Sequence, residues 1–156
     1  DGNSMRRAAV AALAGVAVLA GCTSGSAQVP APAPAGQAAD LCRTLVAKAP
    51  DTMFGQDRIS VEPASDYVAA WGDPPIALRC GVERPEGLQP DSELLVVNDI
   101  AWFAQPPDNP NLYTAVGREA YVELSISPSY GAPAEGLVAI SDLITEEIPA
   151  LPSGEL

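Results

Sequence analysis

The sequence predicts an α+β domain: an antiparallel sheet of about four to five strands with two helices packed on one face. Three observations predict it. Ile76 to Glu83 alternates apolar and polar side chains, and Arg118 to Ile126 does so more cleanly. One segment near the start of the domain and one near its end carry apolar residues at helical spacing instead. Gly, Pro, Asn and Asp punctuate the strand candidates at short intervals.

The elements follow in order. Asp40 caps a first helix, Leu41 to Ala49, with Leu41, Cys42, Leu45, Val46 and Ala49 on its apolar face and Pro50 ending it. Arg58 to Val61 is a short strand. Tyr67 to Trp71 fits either a turn of helix or a strand, and Gly72-Asp73-Pro74-Pro75 forces a turn. In the next strand Ile76, Leu78, Cys80 and Val82 point one way, while Ala77, Arg79, Gly81 and Glu83 point the other. Cys80 therefore lies on the core face, within reach of Cys42 on a helix packed beneath. Glu93 to Val97 and Ile100 to Ala104 form a hairpin about Asn98-Asp99. Residues 105–111 are a proline-rich loop, Leu112 to Val116 is a strand, and Gly117 is a bend or bulge. In the strand from Arg118, Ala120, Val122, Leu124 and Ile126 face in, and Glu119, Tyr121, Glu123 and Ser125 face out. A second helix starts at Pro133 or Ala134 and runs to Glu147; Leu137, Ile140, Ile144 and Ile148 share one face, and Pro149 stops it.

The N-terminal residues predict export. Met5 reads as the start, followed by Arg6 and Arg7, an apolar run from Ala8 to Leu19, and Ala20, Gly21 and Cys22. A short basic segment, a short apolar run and small residues make a secretory signal over residues 1–21. Leu19-Ala20-Gly21-Cys22 matches the bacterial lipobox, so Cys22 is the expected lipidation site. Nothing after the arginine pair completes a twin-arginine motif, so general secretion is expected. Residues 22–39, with VPAPAPA at Val29 to Ala35, read as a lipidated Cys and an Ala/Pro-rich tether. Residues 40–150 form the single α+β domain, and 151–156 a flexible tail. The expected location is the outer face of the cell membrane, lipid-anchored and extracytoplasmic.

Composition excludes several functions. The chain has 8 Lys plus Arg against 20 Asp plus Glu, a net charge of −12. Such a chain is repelled by phosphate backbones, so nucleic acid is not an expected partner. Membrane attachment must come from lipid rather than a basic patch. With Cys22 lipidated, Cys42 and Cys80 remain as an even pair in an oxidising compartment. A bridge between them contributes about 4 kcal/mol in the chain-entropy model; the alternative is two buried free thiols. A metal is not expected, since there is no histidine and two lone cysteines lack ligand spacing.

No cofactor and no catalytic motif are expected. Without histidine, Ser-His-Asp and Cys-His arrangements cannot form. No serine lies in G-x-S-x-G, and no glycine loop suits phosphate. Ser92, Ser125, Ser127 and Ser141 read as surface or cap residues. Glu119 and Glu123 share a strand face, where a solvated outer face is the plainer reading than acid–base chemistry. Asp108-Asn109 and Asp91-Ser92-Glu93 lack calcium-loop spacing. The candidate recognition residues are Trp71, Asp73, Arg79, Arg118 and Tyr121. Arg79 and Arg118, on polar strand faces, would together hold a carboxylate or phosphate if their strands are neighbours. The plainer reading pairs each with Glu83, Glu119 or Glu123. Trp71 and Trp102 rim a groove or, more plainly, belong to the core. Asp73 beside Pro74 reads first as a turn former.

Several blocks carry a resemblance: Leu41-Cys42, AAWGDPPIALRCGVERPEGL at Ala69 to Leu88, VVNDIAWF at Val96 to Phe103, TAVGREAYVEL at Thr114 to Leu124, and a helix from near Leu137. Over Asp40 to Ile148 the chain resembles a family of actinobacterial secreted lipoproteins of unknown function. The resemblance implies a lipid-anchored envelope protein, strengthens the Cys42–Cys80 pairing, and supplies no activity. Asn98-Asp99 departs from the expected Asn-Gly, which leaves the turn type open. Three functions follow as expectations. The first is a non-catalytic binding or scaffold module, using the exposed sheet face or the WGDPP edge to hold an envelope protein or cell-wall component. The second is a carrier of a small ligand in a helix–sheet groove. The third is a carboxylate-based envelope hydrolase or transferase.

Overall fold

The alternating segments pair into one open, mixed sheet. The computed structural model describes residues 25–156; the predicted signal segment and Cys22 lie outside the described residues. The strands are β1 (Ser26–Gln28), β2 (Thr52–Met53), β3 (Gln56–Glu62), β4 (Val68–Trp71), β5 (Ile76–Val82), β6 (Leu95–Val97), β7 (Ile100–Gln105), β8 (Leu112–Val116) and β9 (Tyr121–Ser125). They run β1-β3-β4-β5-β9-β8-β7-β6, with β2 paired to β3 beside that path. The sheet is thus nine-stranded, larger than the expected four to five. The β1–β3 pair is parallel and the other pairs are antiparallel. β1 and β2 escape the sequence pattern because two or three residues show no period, and β4 because its four side chains are all buried.

Two hairpins share one device. Phe54-Gly55 joins β2 to β3 with φ of 52° and 71°, and Asn98-Asp99 joins β6 to β7 with φ of 46° and 67°. Both are two-residue connections with positive φ at each position, the type I′ geometry that suits strand twist. Asp99 adopts this conformation where Gly is commoner.

Both helices cover one face. Helix α1 (Gly36–Ala47) starts a turn earlier than expected, because Gln37, Ala38 and Ala39 are good helix formers once the prolines end. Asp40 is consequently inside the helix and pairs with Arg43 at 2.8 Å instead of capping. Helix α2 (Ala134–Glu147) matches its expected span. Lys48 and Glu147 join the ends of the two helices by an ion pair. Between helices and sheet lie Leu45, Trp71, Leu78, Trp102, Val122, Leu124, Ile140 and Ile144, all at 0% exposure. Their polar atoms are satisfied: Trp71 Nε1 donates to Pro50 O at 2.8 Å, and Trp102 Nε1 to Ser141 Oγ at 2.9 Å. Ser141, expected at the surface, is therefore a buried partner of Trp102. The Cys42–Cys80 disulfide ties α1 to β5 across a Cα–Cα distance of 5.3 Å.

The opposite face carries irregular chain. Ala27 and Val29 pack on Val68, Ala70 and Ala77, and Val29 N donates to Glu62 O at 3.0 Å. The segment expected as a loose tether is thus a strap laid on the sheet. The β5–β6 connection runs on this face too, with Leu88 buried and Gln105 Nε2 donating to Glu86 O at 3.4 Å. After α2 the chain pairs back onto residues 117–119: Leu151 N donates to Gly117 O, Glu119 N to Pro149 O, and Arg118 bridges Ala150. This pairing is why β9 begins at Tyr121 and not at Arg118. Among the described residues no helix is long and apolar enough to cross a membrane.

In oxidised protein, Cys42→Ser is expected to lower stability by about 4 kcal/mol, read as a drop in melting temperature. Equal melting of the two proteins would show that the bridge contributes nothing.

Candidate functional site

The sequence places a cation on the outer face of the central strand, and the structure shows what holds it. Arg79 on β5 lies directly across from Glu123 on β9. Its Nη1 reaches Glu123 Oε1 at 2.9 Å, and its Nε donates to Pro30 O of the strap at 2.8 Å. The two side chains are 24% and 14% exposed. Arg79 thus ties the strap to the sheet, and Glu123 balances its charge. Two open clefts flank the strap. One, of about 440 Å³, is lined by Ala31, Ala33, Arg79, Gly81, Val82 and Glu123. The other, of about 230 Å³, is lined by Gln28, Pro75, Ala77, Arg79 and Ser125 among others.

Gly81 shapes the first cleft. The β5–β9 register shifts between Cys80 and Val82, and Gly81 has a φ of 90°. This bulge turns Val82 to the Tyr121 side, where strict alternation would have kept it in the core. A Cβ on Gly81 would meet Pro34 Cβ at 2.5 Å, so only glycine lets the strap approach this closely.

The other expected recognition residues are dispersed. Arg118 does not join Arg79; it lies ahead of β9 and donates to Ile148 O at 3.0 Å. Tyr121 donates to Leu156 O at 3.0 Å and accepts from Arg84 Nη1 at 3.3 Å. Arg84, which also donates to Leu156 O at 3.0 Å and Leu88 O at 3.2 Å, gathers the β5–β6 connection and the C-terminal segment onto β9. The sequence carries no signal for this role, because Arg84 sits in a loop with no period. Glu119 is exposed and outside β9, while Glu123 is engaged by Arg79, so the two do not form an acid–base pair.

At the WGDPP edge, Trp71 is a correction: at 0% exposure it is a core side chain and cannot rim a groove. Asp73, Pro74 and Pro75 are exposed. Tyr130, which no pattern marks, donates to Pro74 O at 2.6 Å, and its ring lies tilted against Phe54 with centroids 5.9 Å apart. Glu135 in turn accepts from Phe54 N. Burial and then the Asp73 carboxylate raise the Tyr130 pKa above its ordinary value of 10.0. Among the described residues no group of three or more His, Cys, Asp or Glu is placed to hold a metal ion.

Two outcomes are expected. Replacing Arg79 with Met removes a charged donor from Pro30 O and loosens the strap by about 1.5–3 kcal/mol. Faster hydrogen exchange at the Val29 amide reads this out, and an unchanged rate would sever Arg79 from the strap. The tyrosine effect concerns alkali. Its folded pKa is raised, so the unfolded chain loses the proton first and stability falls as pH rises above about 10. Tyr130→Phe should flatten that alkaline decline; an unaltered pH profile would contradict the assignment.

No curated protein and no solved structure matches this chain. A family described as "Protein of unknown function (DUF3515)" matches residues 7–153. That match takes in the whole sheet and both helices, and the chain belongs to the DUF3515 family.

Proposed function

We propose that the chain is an extracytoplasmic, membrane-anchored lipoprotein acting as a non-catalytic binding or scaffold module of the cell envelope. The observation that carries this reading is the Cys42–Cys80 bridge, which sits at 0% exposure between α1 and the central strand. A structural disulfide of this kind belongs to an oxidising compartment. The lipobox at Leu19 to Cys22 agrees with it. The packed interior favours binding on the surface over carriage within, because Trp71, Trp102 and their neighbours fill the space between helices and sheet.

The strap changes how the domain meets the membrane. Only Thr23, Ser24 and Gly25 separate Cys22 from β1. Four extended residues reach roughly 14 Å. A lipid on Cys22 therefore holds the β1 edge close to the bilayer, with no long free tether between them. The acidic surface is held beside the membrane by acyl chains rather than by charge.

Cys22→Ala should abolish labelling by a fatty-acid probe and release the protein from the membrane fraction. A variant that still labels, or stays in that fraction, overturns the anchored reading.

A further inference from the structure

We infer that the free edge of β6 is a docking site for an extended, basic segment of a partner protein. The inference rests on the binding-module reading and names the surface and the chemistry of its partner. β6 ends the sheet, paired only to β7. Val97 and Ile100 close the two-residue turn, and antiparallel pairs alternate between bonded and non-bonded. Val96 therefore directs its N–H and C=O away from β7, to the open edge. Val96 is 66% exposed and Leu95 is 45% exposed. Together with Val138 on α2, they are the large apolar side chains left exposed among the described residues. Sheet edges are usually guarded by lysine, proline or a cover; Leu95 to Val97 carry none of these residues. Beside the edge lies a cleft of about 390 Å³ lined by Ser92, Glu93, Leu94, Leu95, Phe103 and Pro107, able to take one side chain of an added strand.

Charge selects the occupant. No lysine or arginine occurs between Arg84 and Arg118, nor after Arg118. Glu93 lines the cleft, Asp99 sits in the β6–β7 turn, and Asp142 accepts from Asn98 of that turn at 2.9 Å. All three are exposed. A second copy would set these carboxylates against each other, whereas Lys or Arg flanking an apolar residue complements them. β6 also lies at the opposite end of the sheet from β1. Seven strand spacings set it roughly 33 Å from the edge nearest the proposed anchor, where a partner has access.

The test uses the purified full chain in detergent and two labelled peptides, one alternating valine and lysine, the other valine and glutamate. The valine–lysine peptide should bind, more weakly at high salt, and the valine–glutamate peptide should not. Val96→Pro blocks strand addition without removing a bond to β7, and Val96→Lys places a like charge on the edge opposite the lysines of the peptide; each should weaken binding by about tenfold or more. If Val96→Pro fails to fold, Val96→Lys decides. Binding unchanged in the folded variants, equal binding of both peptides, or no binding overturns the inference. So does self-association, read by sedimentation, that Val96→Pro abolishes, because the occupant is then a second copy. Peptide binding needs neither lipid nor location, so it can fail while Cys22 labelling succeeds, and the reverse.

Discussion

Three consecutive residues of β5 hold the layers of this protein together. Cys80 points to the helices and is bonded to Cys42 of α1. Arg79 points the other way, to Pro30 of the strap and Glu123 of β9. Gly81 sits in the bulge between Cys80 and Val82 and leaves room for Pro34. The chain from Pro30 to Cys42 is thereby fixed to β5 at both ends, first on one face and then on the other. The disulfide closes the loop from Cys42 to Cys80 and so lowers the entropy of the unfolded chain. The ion pair and the glycine then decide where the strap lies.

Much of this was legible because it is periodic. The alternation in Ile76 to Val82 announced both the strand and the core direction of Cys80, and the Leu137, Ile140, Ile144 and Ile148 stripe announced α2. The strap was not legible. Its composition is that of a solvated linker, and only two of its residues, Ala27 and Val29, are buried with Val68, Ala70 and Ala77 of the sheet. No local pattern encodes a contact supplied by strands so far along the chain. The same holds for Ser141: one hydroxyl on a helix reads as surface until Trp102 arrives to use it. The bulge at Gly81 is a third case, since one extra residue reverses which face Val82 occupies.

The site candidates divide on the same line. Sequence could mark Arg79 as unusual, because cations are scarce in a chain of net charge −12. It could not tell a recognition arginine from one that clasps the chain's own carbonyl. Arg84, Arg118 and Tyr121 likewise hold loop and C-terminal segments against the sheet. With these cations engaged internally, the exposed large apolar side chains among the described residues are Leu95 and Val96 of β6 and Val138 of α2.

The most direct test of this account is whether the strap lies on the sheet in solution. Nuclear Overhauser contacts measured in detergent micelles between Pro34 and Gly81, and between Val29 and Ala77, would establish it. The account predicts both sets of contacts alongside sharp, protected strap amides. Narrow, random-coil strap resonances without either contact would contradict it and return residues 25–35 to a free tether.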